Sequence, residues 1–395
     1  MFEKELKKLQ ALFDKGLFNK PFYMDKIKSK DCLTDYDKFA QIPLTYKKDI
    51  RTSNIFDRTA TQPGDIFGVF SSSGTTGTKT YYVYSKEDKA VHEEFVKTFY
   101  SELDVKKEDL GGVFAPIDTG VMAHTMMWQF TTMGAGYVTC PEPSPVNMAS
   151  ILKSVPVTIV ATRPNVVSTM ALDPELAKIA KESTVKKLLL GGGFLSKERR
   201  KLIEKTWDAD CYNMFGMSEM FGPMAGECKQ KDGQHYLDKY LMIEILNPKT
   251  LEPCSLGEIG VAVYTTLWEK GFPLLRYWTG DLMSVAYEKC KCGSELPRIR
   301  YMGRLDDSFY IDDKYIFPEV LEDILFSNGY YHEYLAVLSI DKTITVKIEK
   351  ELNMNENKNM ESQIIDLFGT GTTVEYYIPG ELGYHGHGLR FIKET

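Results

Sequence analysis

Apolar residues Leu6, Leu9, Leu12, Phe13 and Leu17 recur close to a 3.6-residue period, which predicts a helix with one buried face over residues 3–17. The first 60 residues read as short helices. From about residue 65 to 190 the rhythm changes. Short apolar runs at 111–115, 136–139 and 158–161 predict strands, and 85–99 and 145–154 predict helices between them. Ser85 is placed to cap the first of these helices, because a serine oxygen accepts from the free N–H groups of the opening turn. Alternating strand and helix implies a largely parallel sheet covered by helices.

Residues 236–310 are denser in strand-like runs, among them 241–246, 261–265 and 281–287. The last 90 residues have a third rhythm. A helix is expected from Pro318, then strands at 334–340 and 343–349, where Ile344, Val346 and Ile348 alternate with polar residues. A polar loop at 351–359, a helix near 361–368 and a strand at 373–378 complete a β-β-α-β tail. The expected organisation is an α/β N-terminal domain over 1–304, with a β-rich subdomain at about 225–304, and a small, mobile α+β domain over 305–395. The hinge is expected near 304–308.

Composition narrows the function classes. The chain has 395 residues, 43% hydrophobic and 26% charged, which suits a folded protein of two or three domains rather than a disordered chain or rod. A formal charge of −7 gives no support for a nucleic-acid partner. No apolar run reaches the roughly 18–20 residues of a bilayer span, so no membrane partner is expected. The charged start lacks a signal-peptide core, and seven unevenly spaced cysteines do not form a disulfide framework. Together these point to the reducing cytoplasm.

The strongest local signal is the hydroxyl- and glycine-rich stretch 71–80, which holds Ser73, Gly74, Thr75, Thr76, Gly77 and Thr78 between two strand-like runs. Glycines let backbone N–H groups approach a polyanion, and hydroxyls add donors. Only two residues separate Gly74 from Gly77, so this is not a Walker loop. Four blocks follow it: Gly191-Gly192-Gly193; Tyr212-Asn213-Met214-Phe215-Gly216-Met217-Ser218-Glu219; Tyr277-Trp278-Thr279-Gly280-Asp281; and Gly303-Arg304-Leu305-Asp306-Asp307. The early run 42–51, Ile-Pro-Leu-Thr-Tyr-Lys-Lys-Asp-Ile-Arg, belongs to the same pattern.

In this order and spacing the blocks resemble the adenylate-forming acyl-CoA synthetase superfamily, nearest to phenylacetate–CoA ligase-like enzymes, over essentially the whole chain. The resemblance implies an AMP-forming ligase that joins a small carboxylic acid to the α-phosphate of ATP with loss of pyrophosphate. Residues 73–78, with Thr76 among the catalytic group, would hold the β- and γ-phosphates. Glu219 would bind Mg²⁺, Asp281 the ribose hydroxyls, and Arg304 the ribose or phosphate. Gly191–Gly193 and the 212–218 block (Tyr212, Asn213, Phe215, Gly216, Ser218) would flank the nucleotide, and Asp306 would be the hinge. His124 and Trp128 fall where the family places its acyl pocket, with a plain core role as the alternative; their apolar neighbours suit an aromatic or other hydrophobic acid.

Independently, Cys228, His235, Cys290 and Cys292 make a full donor set for a structural Zn²⁺, although their spacing is not that of paired Cys-x2-Cys knuckles. The alternative is four unrelated residues. Three departures from the family pattern matter: Lys79 replaces a usual proline, Asp313 stands where a glycine is usual near the acceptor tunnel, and His387 stands where a lysine serves adenylation. CoA is the default acceptor by likeness; Asp313 weakens that default, and an amine or a carrier-protein thiol is the alternative. A hydroxyl-adenylylating enzyme and a degenerate nucleotide-binding protein also stay open.

Overall fold

The computed structural model describes residues 2–72, 79–118, 120–140, 142–383 and 390–394. Its N-terminal helix, Glu3–Asp14, buries Leu6, Leu9 and Leu12, the face the periodicity marks. Short helices follow, including Tyr36–Ala40 and Lys47–Thr52. Helix Lys86–Glu102 starts at Ser85, whose Oγ accepts from the Asp88 N–H while the Asp88 carboxylate accepts from the Ser85 N–H.

The centre is one eleven-stranded sheet. Strands Gly136–Thr139, Leu110–Phe114, Ile159–Thr162, Lys187–Gly191 and Asp210–Met217 lie side by side and parallel, joined by helical crossovers. Helices Val121–Thr132, Pro145–Ser154 and Lys197–Trp207 are among those crossovers. Antiparallel strands then extend the same sheet from Gly222–Glu227 to Leu241–Leu246. The β-rich stretch thus continues the parallel sheet instead of forming a sheet of its own. Buried runs such as Gly260–Thr266 show no alternation because both faces are covered.

The hydroxyl-rich stretch joins strands Ile66–Ser71 and Tyr81–Ser85, which pair antiparallel as a separate hairpin. After a single 3-10 turn, Leu305–Asp307, the chain builds a smaller unit. Its four-stranded sheet runs in the order Thr372–Tyr377, Ile344–Glu349, Tyr334–Leu338, Phe391–Lys393, with helices Pro318–Ser327 and Lys358–Phe368. Leu321, Leu325, Val346, Ile364 and Phe391 form its core. The last strand, Phe391–Lys393, has too few residues for an alternation signal and forms because Tyr334–Leu338 offers it a parallel edge.

Candidate active site

Open α/β sheets leave a crevice beyond the carboxyl ends of their parallel strands. Here Arg163 follows strand Ile159–Thr162, Gly192 and Gly193 follow Lys187–Gly191, and Phe215 to Glu219 close Asp210–Met217. A cleft of about 1130 Å³ opens at these ends. Its far wall comes from the smaller unit, through Pro318, Glu319, Phe326, Tyr334 and Arg390.

Glu219 is placed by a sharp reversal. A Cβ on Gly216 would stand 2.2 Å from the Gly222 carbonyl oxygen, so only glycine lets the strand fold back through the 3-10 turn Ser218–Met220. That turn leaves Glu219 4% exposed. Its Oε1 accepts from the hydroxyls of Tyr82, at 2.9 Å, and Tyr277, at 3.0 Å, and Lys47 Nζ lies 3.5 Å away. A carboxylate this buried needs such donors. Lys47 gets there because the 42–46 run adds itself to the sheet: Thr45 N–H donates to the Arg276 carbonyl, and Trp278 N–H donates back to the Thr45 carbonyl, each at 2.8 Å.

Asp281 and Arg304 are cross-strand partners on strands Tyr277–Ala286 and Arg298–Arg304. Gly280 adopts φ +76°, which turns the backbone so that Asp281 N–H meets Thr279 Oγ1 at 2.9 Å. Arg304 grips Asp306 with two nitrogens, at 2.8 and 3.1 Å, and reaches Asp281 Oδ1 at 3.4 Å. Burial pushes the Asp281 carboxyl up to about 7; the Arg304 charge opposes the shift and the Glu219 charge adds to it.

The cleft therefore brings together Gly192, Gly193, Asn213, Phe215, Gly216, Ser218, Glu219, Asp281, Arg304 and Asp306 of the residues marked in the sequence. Others fall elsewhere. Tyr212 is one residue out of phase with Asn213 on its strand, so it faces the core beneath helix Lys86–Glu102, with Lys231 Nζ 5.2 Å from its ring centre. Gly191 pairs with Met214 inside the sheet instead of lining the cleft. His124 and Trp128 do not line the cleft and sit in an aromatic cluster: Trp128 stacks on Phe221 at 5.4 Å, His124 lies 5.1 Å from Phe70, and His124 Nε2 lies 3.1 Å from the Asp118 carbonyl oxygen. Residues 73–78 and His387 lie outside the described residues. Sequence reasoning missed Lys47, Tyr82 and Tyr277. Only Lys47 sat in a quoted block with a charge to flag it.

Cys228, His235, Cys290 and Cys292 converge away from the cleft. Cys228 follows strand Gly222–Glu227, His235 lies on Gln234–Tyr236, and the two last cysteines sit in the loop before Arg298–Arg304, whose Arg298 pairs with His235. Their ligand atoms all lie within 4.8 Å of one another. Cys228 and Cys290 sulfurs are 3.8 Å apart, and Cys292 Sγ is 3.5 Å from His235 Nε2. Metal–sulfur bonds of about 2.3 Å in a tetrahedron put sulfurs about 3.8 Å apart, the separation of Cys228 and Cys290 here. His235 Nδ1 lies 2.9 Å from the Leu296 carbonyl oxygen and donates to it, which frees Nε2 as a ligand.

The sheet and its cleft define an α/β protein whose candidate site lies between two unequal units. The chain belongs to the AMP-binding enzyme family, whose profile matches residues 15–265. It is 28% identical over 301 residues to the phenylacetate-coenzyme A ligase of Thermus thermophilus, a match covering 72% of this chain and 65% of that one, so just under two thirds of the relative is spanned. Among solved structures it resembles 2-hydroxyisobutyryl-CoA ligase in the postadenylation state with 2-HIB-AMP, at TM-score 0.84 and 20% identity, covering 100% of this chain and 90% of that one. The same ligase with 2-HIB-AMP and CoA in the thioesterification state matches at TM-score 0.68 and 21% identity, covering 99% and 89%. These structural likenesses concern the fold.

A raised carboxyl pKa means that the native state holds the Asp281 proton more tightly than the unfolded chain does. The stability this group contributes is full below the unfolded value near 4 and declines as pH rises through the folded value near 7. Asp281→Asn should remove that decline. Thermal unfolding between pH 5 and pH 8 checks it: the variant should gain on the parent protein towards pH 8, and parallel profiles would dismiss the shifted carboxyl.

Proposed function

We propose that this chain is an AMP-forming acid ligase: it activates a small hydrophobic carboxylic acid with ATP to an acyl-adenylate, releases pyrophosphate, and passes the acyl group to CoA. The observation that carries this reading is the single cleft in which Glu219, Asp281, Arg304 and the Gly192–Phe215 wall converge at the strand ends, in a chain of the AMP-binding family. Both reactants are anions, so the chemistry needs positioning and counter-charge more than covalent catalysis.

In this reading Asp281 accepts from the ribose hydroxyls and Arg304 faces the ribose or phosphate. Phe215, whose ring packs 5.1 Å from that of Tyr301, offers a flat face to adenine. Lys47 and Glu219 sit where phosphate and its cation would meet. Glu219 would hold Mg²⁺, whose charge would offset that of the phosphates. The acid would lie towards Phe70, Trp128 and Phe221, whose mutually packed rings suit an aromatic or aliphatic acid. The smaller unit would turn about Asp306 between the two half-reactions. A second reading is favoured by one detail. Asp312 and Asp313, at φ +46° and +60°, form the tip of the hairpin Phe309–Ile311 and Lys314–Ile316, and two carboxylates there suit an amine or a carrier thiol better than anionic CoA. No helix among the described residues is long and apolar enough to cross a membrane. The reduced cysteines suit the cytoplasm.

The cysteine–histidine cage would hold one structural zinc. All four places are filled by protein, so it would pin the loop 287–297 to strand Gln234–Tyr236 and do no chemistry.

ATP–pyrophosphate exchange across a panel of carboxylic acids tests the reaction; no exchange with any acid, in protein that binds AMP, would leave only a nucleotide-binding role. Asp281→Ala should weaken AMP binding by roughly tenfold or more, the worth of a charged hydrogen bond, as read by calorimetry. Metal analysis of protein purified without chelator should give about one zinc per chain, and Cys290→Ser should lower both zinc content and melting temperature. Zinc-free protein of unchanged melting temperature would refute the cage.

A further inference from the structure

Among the described residues, a buried ion pair joins the two units across the cleft. Arg199 lies on helix Lys197–Trp207 of the large unit, and Glu322 on helix Pro318–Ser327 of the small one. Arg199 Nε donates to Glu322 Oε1 at 2.8 Å, and a second guanidinium nitrogen donates to Oε2. A third nitrogen donates to Ser168 Oγ at 3.2 Å, and the Phe326 ring centre lies 5.1 Å from the guanidinium. Beside this pair the backbone N–H of Glu198, in the first turn of its helix, donates to Asp323 Oδ1 of the small unit at 2.7 Å. The Glu322 side chain is 0% exposed and that of Arg199 is 14% exposed.

A bidentate pair at this depth does not loosen by degrees. A fully buried carboxylate is tolerated with its partner and costly without it, so the units are either joined here or parted far enough for water to enter. Arg199, Phe326 and Glu319 also line the cleft, so parting the pair removes the cleft's far wall. The solved neighbour 2-hydroxyisobutyryl-CoA ligase has postadenylation and thioesterification states, and this chain's fold matches the first at TM-score 0.84 and the second at 0.68.

We propose that Arg199 and Glu322 form an interdomain latch: positioning residues that hold the small unit over the cleft for the adenylate-forming step and must release before the acyl group is passed on. The inference rests on the proposed two-step reaction for its kinetic consequence. Its structural consequence stands alone.

Glu322→Gln keeps the shape and removes the charge. Limited trypsin cleavage after Arg304, at the connector between units, should quicken by roughly tenfold at a temperature where circular dichroism is native, matching the loss of one charged hydrogen bond. Pyrophosphate exchange should fall by a similar factor, while acyl transfer from supplied acyl-adenylate stays level or speeds up. Arg199→Lys, which keeps the charge but loses the two-pronged grip, should fall between parent and Glu322→Gln and takes its place if that variant does not fold. Unchanged cleavage overturns the latch, and so does an equal fall in both half-reactions. Absence of exchange in the parent protein counts against the proposed reaction alone, because the cleavage measurement still decides the latch.

Discussion

The site depends on one buried carboxylate oxygen. Glu219 Oε1 is met by hydroxyls from the hairpin strand Tyr81–Ser85 and the sheet strand Tyr277–Ala286, and by an ammonium from helix Lys47–Thr52. These segments are far apart in sequence and share no continuous sheet. A buried carboxylate without donors would cost several kcal/mol, so each segment is needed where it is. Through Tyr82 the hairpin strand Tyr81–Ser85 is tied to the turn at the end of the parallel sheet.

A second polar hub supports the first. Arg276 adopts φ +45°, a strained conformation for a side chain of its size. Strain of about 1–3 kcal/mol persists only where surroundings over-determine the backbone. They do so here. The Arg276 guanidinium donates to both Glu244 oxygens, at 2.9 and 3.1 Å, to the Ile42 carbonyl at 2.7 Å and to the Ala40 carbonyl. Tyr36 donates to the same Glu244 at 3.0 Å. The twist at Arg276 is what turns its carbonyl to Thr45, so the strained residue docks the N-terminal segment and thereby delivers Lys47.

Local pattern carried a large part of the fold because it reports burial directly. Helix Pro145–Ser154 and strand Gly136–Thr139 coincide with their sequence expectations, since capping and apolar runs are written within a few residues. Glycine- and charge-rich blocks marked the cleft for the same reason: Gly216 and Gly280 are there because the backbone admits nothing else. Phase was lost where only pairing decides it. Tyr212 and Asn213 are adjacent and equally suggestive, but the pleat sends one to the core and the other to the cleft. Tyr82 and Tyr277 could not be read as Glu219 donors, because nothing local distinguishes them from core tyrosines. The cysteine–histidine set was legible as chemistry and not as geometry. Its assembly rests on the Arg298–His235 register, a contact between strands more than sixty residues apart.

The cleft also has an electrostatic problem that its proton affinities resolve. Glu219, Asp281, Asp306 and Glu319 all face it. Burial lifts Asp281 to about 7 and Glu319 to about 8, with neighbouring carboxylates adding to each shift. Near neutrality the cleft therefore carries less negative charge than its composition suggests. A ligand that offers hydroxyl donors to Asp281, or brings cations among the carboxylates, favours their charged forms. Proton loss from Asp281 would then accompany such binding, which would strengthen as pH rises through about 7. Arg304, gripping Asp306 while reaching Asp281, ties the connector to the carboxyl whose proton affinity burial raises.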